Sequence, residues 1–341
     1  GVMAGFCQAG GVGKSIAEWI IDGEPSIDVW AMDVARFGNY ASPQYGLIKS
    51  SENYERRFIM TFPNETLPKG RKQKTTSLYD RFVDKGAVMG DSFGLENALW
   101  FANNKEDAFE DPTFKRSRAH EYVAREVSSV RNDVGVSEIA NFSKHEVKGK
   151  NARVFLNNLL AGKIPEKGRI ALSPMLSPKG KLIGDLTVGC ITEERFIIFG
   201  SGLVQEMHRR WFESFLPKDK VIYNNFSDKF HGISISGPKS RELLSRISHE
   251  DVSSNNIKFL AIKETYVAGV PCILNRISFT GELGYEIYVE PHYLLKLFDE
   301  IEKHGKDLNL KCFGARALMS LRLEKSWGAW GLDYRPDYTA M

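Results

Sequence analysis

Hydrophobic and polar positions follow regular periods mainly in the part of the chain after Phe114. Apolar residues recur at helical spacing in "EYVAREVSSVRNDVG" and "NARVFLNNLLAG", and they alternate as in a strand in "KHEVKG". The segments "GRIALSPML", "LIGDLTVGCI" and "FIIFG", separated by turns, predict an antiparallel meander. Further helices are predicted in "LVQEMHRRWFESFL", "HYLLKLFDEIEKHG" and "GARALMSLRLEK", and further strands in "HGISIS", "AGVPCIL" and "NRISFTGELGYEIYV". This mixed order predicts an α+β fold.

The front of the chain is less regular. "GVMAGF" predicts a short strand, and the glycines after it lead into a helix with Ile16, Ile20 and Ile21 on a buried face. Asp22 and the glycine after it are expected to end this helix. A short helix closed by Gly86 is predicted in "SLYDRFVDKG".

The glycine run Gly10-Gly11-Val12-Gly13-Lys14-Ser15 is similar to a phosphate-binding loop. That loop needs a glycine five places before Gly13, and Gln8 stands there, so a nucleotide hydrolase is disfavoured. The dinucleotide fingerprint also fails, because Ile16 occupies its last glycine position. Two interpretations remain: a turn whose Gly10, Gly11 and Gly13 amides approach an electron-rich group, or a tight turn without a ligand.

Composition limits the function classes. The 341 residues suit about two domains, and 42% hydrophobic and 26% charged residues with a mean hydropathy of −0.30 are typical of a globular protein. A net charge of +3 disfavours nucleic acid as a partner. No apolar run approaches the ~18 residues of a membrane span, so we expect no membrane association.

Four cysteines lie far apart without metal-ligand spacing, which predicts reduced structural thiols and no metal site: Cys7, Cys190, Cys272 and Cys312. Reduced thiols favour a cytoplasmic location, or the mitochondrial matrix if the source is eukaryotic.

Two carboxylates are candidates for chemistry. Asp185 lies within the otherwise uncharged strand "LIGDLTV", where burial costs several kcal/mol unless the group is hydrogen-bonded or functional. Glu282 lies between two glycines, and a carboxylate there could accept two N–H donors from a flat heterocycle such as a pterin. A hydrogen-bonded structural Asp and a solvated turn Glu remain the alternatives. Arg316 and Arg322 are six apart on a predicted helix and should point in different directions.

The order of five segments resembles the folate-binding aminomethyltransferase module of the glycine cleavage T-protein. These segments are "EYVAREVSSVRNDVGV", "FSKHEVKGKNARVFLNNL", "LSPKGKLIGDLTV", "ISFTGELGYEIYV" and "GARALMSLRLEKSWGAWG". The front end resembles dimethylglycine and sarcosine dehydrogenases. There "GGVGKSIAEWIIDGEPSIDVWAMDVARFG" is similar to the end of the FAD domain, and "SLYDRFVDKGAVMGDSFGLENALWF" to the end of the central domain.

The resemblance implies three regions: 1–34 as the C-terminal remnant of an FAD-binding domain, 35–112 as the central domain, and 113–341 as a folate-binding module truncated at its C-terminus. It therefore implies a fragment of a longer polypeptide, whose missing FAD domain is its partner within the same chain. The family's "GWERP" stretch is replaced here by "GLENA".

The resemblance also assigns residues. Asp185 matches the catalytic aspartate near the reactive nitrogens of tetrahydrofolate, and Glu282 matches the carboxylate that holds the pterin. Arg316 and Arg322 match arginines of which one reaches the ligand. Tyr285 and Glu286 are weaker candidates for the pocket wall, and Gly10, Gly11 and Gly13 would approach the flavin. Trp330 stands where the T-protein usually has a tyrosine, so any contact of that hydroxyl is lost.

The implied activity is that of a flavin- and folate-dependent oxidoreductase. FAD would oxidise an N-methylated amine such as dimethylglycine or sarcosine, and the one-carbon unit would pass to tetrahydrofolate as 5,10-methylene-tetrahydrofolate. The alternatives are a folate-dependent transferase or demethylase without flavin chemistry, and a folate-binding protein without catalysis. The fragment alone is not expected to oxidise amines.

Overall fold

The structure, a computed structural model, describes residues 5–339, so residues 1–4 of the predicted strand "GVMAGF" lie outside it. Helix α1 spans Gly5–Asp22, and Gly5 and Phe6 of that predicted strand are helical. The helix ends where the sequence predicted, since Gly23 adopts a positive φ of 78°.

The turn expected at Gly10, Gly11 and Gly13 is absent, because these residues lie inside α1. A Cβ atom at any of the three would meet nothing within 4 Å, so no close contact requires glycine there. Each glycine costs a helix about 1 kcal/mol relative to alanine, and the strong helix formers around them, such as Lys14 and Glu18, offset this.

The buried face expected on α1 is also absent. Ile16, Ile20 and Ile21 are 51%, 78% and 80% exposed, and α1 has no buried residue. These isoleucines do share one face of α1, but no part of residues 5–339 buries that face.

A mostly irregular segment joins α1 to the rest of the molecule. It contains short 3-10 helices at Trp30–Met32 and Val34–Arg36 and helix α2 at Pro43–Glu55. Helix α3, Tyr79–Asp84, confirms the short helix predicted before Gly86. Gly86 has a φ of 82°, and a Cβ there would lie 2.9 Å from a backbone oxygen, so glycine is required. A two-stranded antiparallel sheet follows, with β1 at Ala87–Ser92 and β2 at Leu95–Phe101.

Two larger sheets form the body of the molecule. Their strands are β3 Gly135–Glu138, β4 Ser143–Lys148, β5 Ile170–Leu176, β6 Leu182–Thr192, β7 Arg195–Gly200, β8 Ile222–Asn225, β9 His231–Ser236, β10 Ile262–Val267, β11 Val270–Asn275, β12 Gly284–Val289 and β13 Lys311–Cys312. The six-stranded sheet has the order β10-β11-β12-β9-β3-β13, and the five-stranded sheet has the order β5-β6-β7-β4-β8. All neighbours are antiparallel except β13 and β3.

Further helices pack against these two sheets and against the two-stranded sheet. They are α4 Ala119–Asn132, α5 Ala152–Leu159, α6 Gln205–Ser214, α7 Ser240–Ile247, α8 Leu294–Gly305 and α9 Ala315–Glu324. One hydrophobic core joins α3, α7 and α8 to the six-stranded sheet, and a second joins α5 and α6 to the five-stranded sheet. The predicted α+β class, with mixed antiparallel sheets and helices, is confirmed.

Leu78 and Phe82 belong to the core of the six-stranded sheet. Residues 78–101, which the sequence interpretation assigned to a central domain, thus pack with the later part of the chain. The strand predicted over "NRISFTGELGYEIYV" is shorter than expected, because only Gly284–Val289 pairs in the sheet. Within residues 5–339 no helix is long and apolar enough to cross a membrane.

Candidate functional site

The two large sheets pack against each other through a third hydrophobic cluster to which both contribute. Phe199 of β7 stacks on Tyr288 of β12 with ring centroids 4.6 Å apart, and isoleucines from β5, β7, β10 and β11 surround them. We call the region between these faces the inter-sheet space. Side chains that project into it come from alternate positions of each strand.

Polar residues form a row across the six-stranded sheet on the side of the inter-sheet space. Glu286 of β12 pairs with Asn275 of β11 on one side and with Ser234 of β9 on the other, and Ser234 pairs with Ser137 of β3. All four are buried. Two residues beyond Glu286, the hydroxyl of Tyr288 donates to its carboxylate at 2.9 Å. Burial raises the pKa of Glu286 to about 7.

A lysine faces this row from the other sheet. Lys144 of β4 is fully buried, and its ammonium donates to the backbone oxygens of Ala140 and Phe142 at 2.8 and 2.6 Å. Its Nζ lies 5.9 Å from the ring centroid of Tyr288, and burial lowers its pKa to about 7. The inter-sheet space is therefore polar next to its hydrophobic part.

Asp185 projects from the same face of the five-stranded sheet as Lys144. Lys144 pairs with Phe199, which pairs with Thr187 on β6, and Asp185 precedes Thr187 by two positions. Burial raises the pKa of Asp185 to about 6, while the backbone amide of Trp330 donates to its Oδ2 at 3.2 Å and opposes that rise. A carboxyl group with this pKa can both donate and accept a proton near neutral pH.

Trp330 packs against β6, the strand that carries Asp185. It is 3% exposed, its indole nitrogen donates to the backbone oxygen of Leu182 at 3.1 Å, and its ring lies against that of Trp30 with centroids 5.1 Å apart. The contact with Asp185 uses the backbone amide, which a tyrosine at this position would also supply.

Glu282 lies in the irregular segment before β12. Its carboxylate pairs with Lys325 at 3.1 Å, and its backbone amide donates to the hydroxyl of Thr280 at 3.2 Å. Gly281 has a φ of 73°, and a Cβ there would lie 2.4 Å from the Lys325 side chain, so glycine permits this close approach. The Glu282 side chain is 23% exposed and remains accessible to a ligand.

Residues 325–334, which we call the C-terminal loop, connect the two carboxylates. Lys325 at its start contacts Glu282, and Trp330 in its middle contacts Asp185. The ring of Trp327 also lies 6.4 Å from that of Phe279, close to Glu282 in the chain. The structure thus brings the two sequence-predicted carboxylates to the same loop.

The two candidate arginines point in different directions, as their spacing predicted. Arg316 pairs with Glu110 at 2.8 Å and lines a cavity of about 600 Å³ between residues 63–66 and the start of α4. Arg322 is 3% exposed and pairs with Asp333 of the C-terminal loop.

Two other candidate groups lie away from the inter-sheet space. Tyr285 is fully buried in the core on the helix-covered face of the six-stranded sheet, because side chains alternate along β12, and its hydroxyl accepts from Arg241 at 3.0 Å. The register of β12 therefore turns the Tyr285 side chain away from the inter-sheet space, so Tyr285 does not form the pocket wall expected there. Gly10, Gly11 and Gly13 form no amide-lined turn, so the part of the chain that the structure describes does not fit a bound flavin.

Glu286, a weaker candidate for the pocket wall in the sequence, lies in the inter-sheet space, whereas sequence reasoning missed Lys144. Lys144 occupies a strand of alternating pattern, and a charged residue on the inward side is the signal that could have identified it. Asn275 is fully buried, and neither Oδ1 nor Nδ2 of its side chain has a hydrogen-bond partner among residues 5–339. A buried amide with both groups unpartnered fits a ligand that brings both donors and acceptors, as a pterin does.

A second cavity, of about 520 Å³, lies between residues 19–33 and the edge of the five-stranded sheet. It is lined by Trp19, Trp30 and Trp211 and by Ile183, two positions before Asp185. No group of three or more His, Cys, Asp or Glu residues capable of holding a metal occurs in the described part of the chain.

Comparison with known proteins agrees with this architecture. The profile of the GCVT N-terminal domain family matches residues 78–341, and that of the FAD dependent oxidoreductase central domain matches residues 22–76. An aminomethyltransferase T of the glycine cleavage system from Bartonella henselae superposes with a TM-score of 0.65 over 78% of this chain and 66% of that chain, at 21% identity. This likeness shows the shared fold.

Curated relatives are longer proteins. Human mitochondrial dimethylglycine dehydrogenase is 35% identical over 98% of this chain and 39% of its own length. A 4-methylaminobutanoate oxidase (formaldehyde-forming) from Paenarthrobacter nicotinovorans is 30% identical over 98% of this chain and 42% of its own length. The chain thus spans about two fifths of these relatives.

The name of the human relative includes "mitochondrial", which does not support the cytoplasmic location expected from the cysteines. The first profile covers more than half of the chain and the second covers most of the segment before it. The chain belongs to the GCVT N-terminal domain family, joined to an FAD dependent oxidoreductase central domain as in the dimethylglycine and sarcosine dehydrogenases.

Proposed function

We propose that this chain is the folate-binding part of an FAD-dependent dehydrogenase of N-methylated glycines, and that it transfers the one-carbon unit to tetrahydrofolate. The observation that carries the proposal is the arrangement of Asp185 and Glu282 at one loop, with Asp185 partly buried and its pKa raised to about 6. Amine oxidation belongs to the flavin domain of the longer protein, and in a eukaryote we place that protein in the mitochondrial matrix.

Glu282 binds the pterin in this proposal. A carboxylate accepts two parallel N–H donors from the edge of such a ring, and charge-assisted hydrogen bonds of this kind are roughly twice as strong as neutral ones. Lys325, which pairs with Glu282 in the absence of ligand, gives up part of that contact when folate binds. The side-chain amide of Asn275, whose Oδ1 and Nδ2 lack partners within residues 5–339, is a further polar group in the inter-sheet space.

Asp185 moves protons. When a methylene group leaves an iminium and bridges N5 and N10 of tetrahydrofolate, two C–N bonds form, the bond to the amine breaks, and the two N–H protons end on the departing amine. A carboxyl group that accepts one of these protons and returns it to the amine lowers the barrier, typically by 10²–10⁴-fold in rate. The partly buried position of Asp185 limits the access of water to this exchange.

The test uses the full-length protein with dimethylglycine and tetrahydrofolate. Asp185→Asn is expected to reduce methylene-tetrahydrofolate formation by about 100-fold, with formaldehyde released instead and flavin reduction nearly unchanged. Equal losses in both half-reactions would contradict the role given to Asp185.

Binding is tested separately by calorimetry with the stable ligand 5-formyl-tetrahydrofolate. Glu282→Gln should weaken binding by about tenfold or more, because one charged acceptor is lost. Glu290→Gln is the matched control, since Glu290 is 59% exposed and its carboxylate pairs with His292 at 3.6 Å. If both variants bind alike, Glu282 does not hold the pterin. The isolated 341-residue chain is expected neither to hold FAD nor to oxidise dimethylglycine.

A further inference from the structure

Arg322 faces the C-terminal loop, although its helix also borders the candidate folate site. It lies in the last turn of α9 and is 3% exposed. Its Nη1 donates to the backbone oxygen of Trp327 at 2.8 Å and to the carboxylate of Asp333. Both ends of the loop are therefore tied to one buried guanidinium group.

Asp333 closes the loop from its other side. The same carboxylate oxygen that accepts from Arg322 accepts from the backbone amide of Ala329 at 2.9 Å. The backbone amide of Asp333 returns a hydrogen bond to the oxygen of Ala329, also at 2.9 Å. The residue enclosed by this arrangement is Trp330, whose amide donates to Asp185.

Other contacts of the loop are the ion pair of Lys325 with Glu282, the hydrogen bond from the Trp330 indole to the Leu182 oxygen, and turns of its own backbone. Residues 325–327 are nevertheless exposed, whereas Trp330 is buried. An exposed segment orders poorly unless its backbone groups are satisfied by fixed partners. The paired Arg322 and Asp333 supply such partners, and a buried arginine is in turn tolerated only when it is paired.

We propose that Arg322 and Asp333 are positioning residues: they fix the C-terminal loop so that the Trp330 amide stays on Asp185, and neither side chain contacts the folate. The part of this inference that concerns the reaction rests on the proposed function. The part that concerns the loop is independent of it.

The first test measures the loop without any ligand. Asp333→Asn removes the charge but keeps the size of the side chain, and in the full-length protein the Trp330 amide should then exchange hydrogen for deuterium about tenfold faster. The matched control is Asp337→Asn, which breaks the nearby ion pair of Arg335 and Asp337, where both side chains are about half exposed at an N–O distance of 3.5 Å. Unchanged exchange in Asp333→Asn, or equal acceleration in the control, would overturn the proposal.

The second test separates positioning from ligand contact. Asp333→Asn should lower kcat for methylene-tetrahydrofolate formation about tenfold, with the KM for tetrahydrofolate unchanged within twofold. Arg322→Lys, which keeps the charge but can satisfy fewer partners, should give intermediate values of both exchange and kcat. A raised KM with normal kcat would mean that these residues bind folate directly, and this would refute the positioning role.

The two proposals fail in different ways. If the wild-type protein forms no methylene-tetrahydrofolate but Asp333→Asn still accelerates exchange at Trp330, the proposed function is wrong and the positioning of the loop stands. Unfolding in urea, followed by tryptophan fluorescence, serves as a check that each variant is folded.

Discussion

Replacing Asp185 by asparagine should stabilise the protein while impairing the proposed reaction. Burial raises the pKa of this carboxyl group from its usual 3.8 to about 6, which means that ionised Asp185 is unfavourable in the folded state. Asparagine has the same shape, carries no charge and can still accept the hydrogen bond from the Trp330 amide. The substitution therefore removes the cost of the buried charge with little loss of contact.

The size of the effect follows from linkage between protonation and folding. The folded state holds its proton more tightly, so wild-type stability falls as pH rises from about 4 to about 6 and is constant above that range. Each pKa unit corresponds to about 1.4 kcal/mol. The Asp185→Asn variant should thus gain about 1 kcal/mol over the wild type at pH 4.5 and about 3 kcal/mol at pH 8.

The measurement is urea unfolding followed by tryptophan fluorescence at both pH values, with Asp337→Asn as the exposed control. The control should change the free energy of unfolding by less than about 0.5 kcal/mol at either pH. If Asp185→Asn is no more stable than the wild type at pH 8, or if its gain is independent of pH, the burial of an ionised carboxylate at this position is refuted.

Two further pairs of variants test the packing around the site. Gly314→Ala places a Cβ 2.3 Å from a backbone oxygen of β2 and should lower the melting temperature by several degrees. Gly10→Ala should not lower it, because Gly10 has open space around it. Equal melting temperatures of the two variants would contradict this reasoning. Tyr288→Phe removes the hydrogen-bond donor to buried Glu286 and should lower the free energy of unfolding in urea by about 1–3 kcal/mol. The control is Tyr266→Phe, which should lower it by less than about 0.5 kcal/mol because Tyr266 is 62% exposed. Similar costs at both tyrosines would show that the hydrogen bond contributes little.

The elements after Phe114 could be predicted because their signals are local. Alternation along "LIGDLTV" and helical spacing along "GARALMSLRLEK" fix which face of each element is apolar, and the structure has β6 and α9 there. Helical spacing also predicted that the side chains of Arg316 and Arg322 point in different directions, because six residues correspond to more than one and a half turns of a helix.

The glycine run was misjudged because its outcome depends on competing terms of similar size. Three glycines favour a turn, yet the neighbouring residues favour a helix, and each effect is about 1 kcal/mol or less per residue. The exposure of Ile16 and Ile20 is a tertiary property, and periodicity alone cannot show which partner, if any, covers an apolar stripe.

The site itself depends on contacts between residues far apart in the sequence. Asp185 and Glu282 could be singled out individually, but their connection through Lys325 and Trp330 exists only in the folded chain. Tyr285 shows the converse: it neighbours a functional segment in sequence, yet the alternation of β12 turns it to the opposite face. Register therefore decided which candidates face the inter-sheet space.

The groups around Asp185 determine how its protonation can be controlled. Lys144 and Glu286 both lie in the inter-sheet space, and burial moves the pKa of each to about 7. Within residues 5–339, the causes that act on the pKa of Asp185 are burial and backbone amides, chiefly that of Trp330. A ligand that excludes more water would raise this pKa, and loss of the Trp330 amide would raise it too. The proton affinity of Asp185 is therefore set by what occupies the inter-sheet space and by how firmly Arg322 and Asp333 hold the C-terminal loop.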